Sequence, residues 1–403
     1  MSQNYGFCTI FLIEWHQVVI TLKSEAKLTF FEATAIIVGH GVGAGILAVP
    51  YLASHNSIRE VFLMIILCLA FNIVLHLLIA ELSLNNDGAQ FVSCLDNELF
   101  SGPLKKVLTS LAFVLLGLSV LINVTAFLTG ASEVFSSWFG WSPWVGKIVF
   151  YLVGASVVFF GMKYVGIFEN GAVAAIIASV VIIFIVALTG TKYPFQTDFK
   201  GVNNALALFG MISFSLSAVM STPQVVKGLG GDAKRIRKSI ILGLVINATL
   251  ILLITLATII GAGSNISEDD ALVSLAEKFG GVIKVLDYLF TLLALATSFW
   301  ANSLNLRDIV DEFTHWGRRL SWLVTSIPPL ILALLGLSSF VTFTRFASVI
   351  QVVTGLGIIV AYHLSRKRVG ESRLLGKFGT LPFQILVGAC TLLATIGAVL
   401  KVQ

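Results

Sequence analysis

The chain has 403 residues, of which 57% are hydrophobic and 12% charged, whereas soluble domains carry roughly 25% charged residues. This composition argues against a water-soluble fold. The formal net charge is +5, but the basic residues lie in short loops between apolar runs, so they indicate membrane orientation and not binding to nucleic acid.

Residues 1–30 precede the first long apolar run and are predicted to form a cytoplasmic segment, because their apolar patch is too short to span a membrane and lacks a cleavage site. Runs of about 20 apolar residues, the length that crosses a hydrocarbon core, then follow one another to the C-terminus. The pattern predicts an all-α membrane protein with eleven transmembrane helices, numbered here as spans one to eleven: 31–53, 59–81, 107–130, 145–161, 167–189, 202–222, 239–261, 283–304, 319–337, 343–364 and 380–400.

The first span carries glycine at four alternate positions, from Gly39 to Gly45. Each glycine disfavours a helix by about 1 kcal/mol relative to alanine. Lipid offers no water to the backbone of an unwound segment, so such a break must line a cavity or bind a ligand. The half-helix that begins after Gly45 would direct free N–H groups at an anion such as a carboxylate. The alternative is close helix packing of the G-x-x-x-G type.

The sixth span contains a second polar interruption, with Ser213, Ser215 and Ser217 followed by Pro223. Free carbonyl groups near Ser213 to Ser215 would suit an ammonium group. Paired interruptions in the two halves of a chain are the best sequence indicator of a transporter's binding site. Together the two breaks predict a receptor for the zwitterionic head group of an amino acid.

The distribution of Lys and Arg predicts that the N-terminus is cytoplasmic and the C-terminus outside. With this orientation, 18 of the 26 Lys and Arg residues lie on the cytoplasmic side. An odd number of spans with matched breaks in spans one and six suits a five-plus-five inverted repeat with one extra helix. We therefore expect a ten-helix transport core over residues 31–364, and a cytoplasmic loop with the eleventh helix over residues 365–403.

Several polar side chains inside the spans are further candidates. His40 lies in the first break, where an ionisable group is a hypothesis for coupling or gating; the alternative is a neutral histidine hydrogen-bonded within the bundle. Asn123 either contacts the substrate or bonds a neighbouring helix. Ser303 adds a polar group in the eighth span, and Phe214 is a candidate for an aromatic pocket.

Other charged and ionisable residues in or near the spans receive structural interpretations. Glu32 and Glu169 are interpreted as residues near helix starts, where a carboxylate suits the helix dipole without a transport role. His76 and Glu81, toward the cytoplasmic end of span two, are interpreted as one structural cluster.

With these features assembled, the sequence resembles the bacterial hydroxy and aromatic amino-acid permeases, the tyrosine- and tryptophan-specific transporters of the amino acid-polyamine-organocation superfamily. The resemblance runs from about residue 30 to residue 400. It is carried by four motifs: Gly39-x-x-x-Gly-Ala-Gly-Ile-Leu-Ala-x-Pro50, the stretch from Phe209 to Lys227, Ala296-Thr-Ser-Phe299 followed by Leu304-x-x-Arg-Asp308, and Pro328-Pro-Leu330.

The resemblance implies a LeuT-like fold with helices 1 and 6 broken, with the substrate carboxylate at Gly43 to Gly45 and the substrate amine at the break of span six. With the candidates named above, the expected substrate site comprises Gly43, Ala44, Gly45, Ile46, Ser213, Phe214, Ser215, Asn123 and Ser303. The resemblance also implies a sodium site formed by Gly39, Val42, Ala294, Thr297 and Ser298. His40 departs from the small hydroxylated residue usual in these permeases and is an ion-coupling candidate from its position in the break. A second sodium site of some relatives needs an amide side chain where this chain has Ile46, so that site is predicted to be absent.

The function predicted from the sequence is secondary active import of tyrosine or tryptophan by cation symport with alternating access, in the bacterial inner membrane. The family is generally described as proton-coupled, whereas the oxygens of a sodium site are present, so the coupling cation is H⁺ or Na⁺. The alternatives are a sodium-coupled carrier of small neutral amino acids and, more remotely, a membrane-embedded enzyme or a channel. The expected partners are the amino acid and the lipid bilayer, with no cofactor, nucleic acid or obligate protein partner.

Overall fold

The structure, a computed structural model, describes residues 27–43, 45–190, 192–263, 266–268, 271–336 and 340–400, with residues 340–354 described as helix backbone only. All regular secondary structure in these ranges is helical. The α-helices are α1 Phe30–Gly41, α2 Gly45–Ser54, α3 Ile58–Asn85, α4 Phe91–Glu98, α5 Lys105–Phe139, α6 Pro143–Phe160, α7 Met162–Thr189, α8 Val202–Ser215, α9 Thr222–Gly228, α10 Ala233–Ala262, α11 Ala271–Phe279, α12 Gly281–Thr314, α13 Arg318–Leu335, α14 Phe340–Val369 and α15 Leu381–Val399.

The helices confirm a multi-pass membrane protein. In the described ranges, nine helical segments are long and apolar enough to cross a membrane, and α1 with α2, bent by 56° at the break, makes a tenth. The segment from α8 to α9 counts as one of the nine. The predicted tenth span, 343–364, falls within α14, half of whose side chains lie outside the description. The total of eleven spans stays a prediction.

The predicted start of span five is wrong by more than one turn. Helix α7 begins at Met162, directly after Gly161, which is the single residue between α6 and α7 and has φ +99°. The sequence predicts a start at 167 because the charge of Lys163 bounds the apolar window. The structure instead pairs the Lys163 ammonium with the Glu32 carboxylate at 2.6 Å, so this charge is accommodated inside the helix.

Two short helices in the connections were not predicted. Helix α4 follows span two, and its start is held by the Glu312 carboxylate, which accepts from the Gln90 N–H at 2.8 Å and from the Ser93 hydroxyl at 3.0 Å. Helix α11 precedes span eight, and the Lys278 ammonium donates to the Gly261 carbonyl at 2.6 Å. Both helices have nine residues or fewer, too few for a window that seeks spans of about 20 residues.

Helix α1 occupies the centre of the helical bundle. It packs against α7, α10 and α12, while α2 packs against α8 and α10. Its start is fixed by a capping box, in which the Thr29 hydroxyl accepts from the Glu32 N–H at 3.2 Å and the Glu32 carboxylate accepts from the Thr29 N–H at 2.8 Å. This confirms the interpretation of Glu32 as a residue at a helix start. The packing places the end of α1 deep between three other helices.

Candidate functional site

The first span changes direction between Gly41 and Gly45. Helix α1 ends at Gly41, its last turn closed by the Val42 N–H, which donates to the Val38 carbonyl at 2.8 Å. Helix α2 starts at Gly45, and the Ile46 N–H donates to the Gly43 carbonyl at 3.2 Å. Ala44, one of the predicted substrate residues, lies outside the described residues. The Gly43 N–H donates to the Gly41 carbonyl at 2.9 Å, whereas the Gly45 N–H has no backbone acceptor among the described residues, as expected for the first N–H of a helix.

The four glycines differ in the space around them. A Cβ on Gly39 or Gly41 would overlap Glu169 or Asn247, and on Gly45 it would lie 2.8 Å from the Phe214 ring. On Gly43 the nearest heavy atom is the Ser298 hydroxyl at 3.5 Å, an ordinary contact distance. Close packing, the alternative for this cluster, therefore explains three of the glycines and does not explain Gly43.

The two breaks contact each other directly. Gly45 lies against the Phe214 ring and the Ser215 hydroxyl, each within 3 Å of a Cβ built on the glycine. The Phe214 side chain is 47% exposed even though the neighbouring Ser213 and Ser215 are buried. The structure thus brings predicted substrate residues of spans one and six together, with an aromatic ring beside them.

The interruption of span six lies slightly later than predicted. Helix α8 continues through Ser215, and the non-helical stretch is 216–218, before a 3₁₀ turn at Val219–Ser221. The hydroxyl of Ser215 donates to the Met211 carbonyl at 2.8 Å, so this serine is accommodated within the helix. Within the described residues, the carbonyls of 215–217 accept no backbone hydrogen bond, which makes them the free acceptors of this break.

Ser213 and Ile46 face packed surroundings instead of an open space. The Ser213 hydroxyl lies 3.2 Å from the Cys68 thiol of α3, and Ile46 is buried among apolar side chains. Asn123 is partly buried on α5, and the Ser303 hydroxyl on α12 is buried. No hydrogen bond among the described residues joins Ser303 to the breaks, and none is seen between Asn123 and the breaks.

The backbone of the sixth-span break is supported by His76 of α3, which sequence reasoning missed as a site residue. Its Nδ1 lies 2.7 Å from the Asn72 carbonyl, and its Nε2 accepts from the Ala218 N–H at 2.9 Å. A carbonyl can only accept, so the proton is on Nδ1 and the ring is neutral in this arrangement. The prediction that His76 and Glu81 form one cluster is wrong. The Glu81 carboxylate instead accepts from the Arg373 N–H at 2.9 Å and from the Ser372 hydroxyl at 2.8 Å.

His40 links the two broken spans. Its Nδ1 lies 2.6 Å from the hydroxyl of Ser221, in the 3₁₀ turn that follows the sixth-span break. The hydrogen bond therefore joins the end of α1 to the segment between α8 and α9.

Three oxygens of the predicted sodium site lie together. The Thr297 hydroxyl is 2.9 Å from the Gly39 carbonyl and 3.0 Å from the Ala294 carbonyl, which joins α12 to the end of α1. Ser298, the next residue, faces Gly43, and Val42 is buried at the end of α1. Carbonyl and hydroxyl oxygens are the ligands that hard cations prefer.

Residues 26–399 match the model of the tryptophan/tyrosine permease family. The chain belongs to the tryptophan/tyrosine permease family. This confirms the resemblance found in the sequence motifs and makes the chain a transporter, not an enzyme.

A solved structure shares the permease's fold. This is Mhp1, a nucleobase-cation-symport-1 family transporter, in a closed conformation with bromovinylhydantoin bound; the match has a TM-score of 0.63 and 15% sequence identity, and covers 94% of the permease and 91% of Mhp1. At this identity the similarity shows the fold alone. No curated protein matches the chain.

Two residues of the permease site escaped sequence reasoning because their contacts are long-range. The Asn247 amide on α10 donates to the Ile37 carbonyl at 3.3 Å and fills the space beside Gly41. Glu169 on α7 lies against Gly39 and is fully buried. Its interpretation as a helix-start residue is wrong, because it is seven positions after Met162 and the dipole effect is confined to the first turn. The sequence did contain a signal for Glu169, because an ionisable residue at membrane depth is by default a candidate functional residue.

Proposed function

We propose that the permease imports an aromatic amino acid, tyrosine or tryptophan, together with a cation by alternating access. The observation that carries this proposal is the direct contact of the two breaks, where Gly45 meets Phe214 and Ser215. The Gly45 N–H at the start of α2 and the free carbonyls of 215–217 both adjoin this contact. A zwitterion needs both within one site.

The carboxylate of the substrate binds at the start of α2, from Gly43 to Gly45, where the Gly45 N–H has no backbone acceptor among the described residues. The positive end of the α2 dipole favours this placement, and hydrogen bonds to a charged group contribute about 1.5–3 kcal/mol each. The substrate ammonium group binds the carbonyls that follow Ser215. The breaks thus recognise the part that all amino acids share.

The substrate side chain lies beside Phe214, whose half-exposed ring is available for stacking. An aromatic pair contributes about 0.5–1.5 kcal/mol beyond the burial of its area. The preference for tyrosine or tryptophan also follows from the family to which the chain belongs.

The permease has a LeuT-like architecture, with a five-plus-five inverted repeat in 31–364 and an eleventh helix in 365–403. It lies in the bacterial inner membrane with the N-terminus cytoplasmic and the C-terminus outside. Spans one, two, six and seven rock against spans three, four, eight and nine. His40 and its bond to Ser221 act as a gate that moves with the broken spans.

The coupling cation binds between spans one and eight, at the oxygens of Gly39, Val42, Ala294, Thr297 and Ser298. The carbonyl oxygens of Gly39 and Ala294 both lie within 3.0 Å of the Thr297 hydroxyl, which supports this assignment. Binding there would fasten α12 to α1 next to Gly43, so the cation and the amino acid would stabilise the same arrangement of the broken span.

Uptake of labelled tyrosine or tryptophan into proteoliposomes tests the proposal, with a sodium gradient and a pH gradient applied in turn. We expect one gradient to drive concentrative uptake, and Thr297→Ala to abolish it. Thr258→Ala is the matched control, since that hydroxyl is also buried but donates to the Ile254 carbonyl within its own helix. Absence of uptake of both amino acids under both gradients contradicts the proposal, as does full activity of Thr297→Ala.

A further inference from the structure

A buried carboxylate without a partner lies beside the predicted cation site. Glu169 has 0% exposure, and neither of its carboxylate oxygens has a hydrogen-bond partner among the described residues. Buried carboxylates in proteins are nearly always paired or hydrogen-bonded, because removing the charge from water is costly. A carboxyl in this setting is neutralised by a bound proton or by a bound cation.

The position of Glu169 points to the nature of that ligand. A Cβ built on Gly39 would overlap the Glu169 Oε2 atom and would lie 2.9 Å from the Thr297 Cβ, so Glu169 and Thr297 flank Gly39 from α7 and α12. The Thr297 hydroxyl in turn lies within 3.0 Å of the carbonyls of Gly39 and Ala294. The Glu169 carboxylate and these three neutral oxygens thus lie on neighbouring sides of Gly39, near the end of α1.

The charged and ionisable groups of neighbouring elements are engaged elsewhere. On the helices packed against α7, Glu32 pairs with Lys163, His40 bonds Ser221, and Arg307 pairs with Asp308 at 2.6 Å. Lys147 of α6 donates to the Ala333 carbonyl, Lys278 of α11 donates to the Gly261 carbonyl, and the basic residues of α10 are exposed in its first two turns. No described side chain supplies a positive charge to Glu169.

We propose that Glu169 is a charged ligand of a sodium site formed with the carbonyls of Gly39 and Ala294 and the hydroxyl of Thr297. The inference rests on the proposed function because it uses the same cation site. It adds to that site a ligand from span five, whose carboxylate carries one negative charge. Sodium takes oxygen ligands such as carbonyls near the midplane of transporters. Its single positive charge neutralises the carboxylate, so the loaded site is electrically neutral within the hydrocarbon core.

The test measures sodium binding in the absence of amino acid. The purified full-length chain in detergent is heated in a series of buffers, in which choline chloride replaces NaCl stepwise at constant ionic strength and pH. We expect NaCl to raise the unfolding temperature saturably, as any ligand of the native state does. Glu169→Gln should raise the sodium concentration for half-saturation by about tenfold or more, because the variant loses the only charged ligand.

Glu32→Gln is the matched control. Glu32 is also a buried glutamate at the same helix interface, but its carboxylate is paired with Lys163. It should lower the unfolding temperature while leaving the half-saturating sodium concentration within about twofold of wild type, because its carboxylate is not a ligand. If Glu169→Gln does not fold, Glu169→Asp takes its place, and it should keep a sodium response of lower affinity because the charge is retained on a shorter side chain.

Three results would overturn the proposal: no difference between NaCl and choline chloride in the wild type, an unchanged sodium affinity in Glu169→Gln, or stabilisation that follows pH in choline chloride alone. Binding of labelled tryptophan, measured separately, distinguishes this failure from failure of the proposed function. Tryptophan binding without a sodium response removes only the sodium site. A sodium response without tryptophan or tyrosine binding removes only the proposed substrates and upholds the role of Glu169.

Discussion

Replacing Gly43 with leucine tests whether the open space at the first break is the carboxylate site. Among the described residues, the nearest heavy atom to a Cβ at this position is the Ser298 hydroxyl oxygen at 3.5 Å, so a Cβ there meets no steric clash. The branched end of the leucine would then occupy the space assigned to the substrate carboxylate. We expect the folded protein to persist and amino-acid binding to fail.

The size of the effect follows from the hydrogen bonds that are displaced. Losing one or two bonds from N–H groups to a carboxylate costs about 1.5–3 kcal/mol each. Because about 1.4 kcal/mol corresponds to a factor of ten, affinity for tryptophan should fall at least about tenfold and, with both bonds lost, by more than about a hundredfold.

The assay is equilibrium binding of labelled tryptophan to the purified variant, with thermal unfolding measured in parallel. Gly39→Ala serves as the comparison, because its methyl group would overlap Glu169 and should destabilise the fold by about 1–3 kcal/mol. The reasoning is refuted if Gly43→Leu binds tryptophan like wild type, or if it unfolds as readily as Gly39→Ala.

Three further predictions concern the supports of the site. His76→Phe removes the acceptor for the Ala218 N–H and leaves a buried donor unsatisfied, so thermal unfolding should show a loss of about 1–3 kcal/mol of stability. Unchanged stability would show that this bond is dispensable. Glu81→Ala removes the acceptor of the Arg373 N–H, so trypsin should cleave after Arg373 faster than in wild type, and an equal cleavage rate would count against this anchor. His40→Gln keeps a polar partner for Ser221 and should preserve the pH profile of uptake, whereas a shifted profile would give His40 a part in proton coupling.

The glycine break was readable from the sequence because the pattern is local. Glycine at four alternate positions disfavours an uninterrupted apolar helix, and the polar run of span six supplied its counterpart. The motif of span eight likewise led to Thr297, which the structure places against Gly39.

The role of each glycine could not be read in the same way, because it depends on residues distant in sequence. Gly39 is close to Glu169, and Gly41 to Asn247, so only the folded chain distinguishes these packing positions from the open one at Gly43. Glu169 itself was misinterpreted because Lys163 suggested a loop where α7 already begins. A lysine neutralised by a partner from another helix leaves no local signal of its burial.

Competition against labelled tryptophan tests the central claim, that the two breaks form one receptor for a zwitterion, most directly. Unlabelled tryptophan should displace the label from the purified permease. Two analogues test the two halves of the receptor: tryptamine lacks the carboxylate, and indole-3-propionate lacks the ammonium group. Each should compete at least about a hundredfold less well, since each leaves one set of charge-assisted hydrogen bonds unmade. Displacement by either analogue at concentrations similar to those of tryptophan would contradict the account.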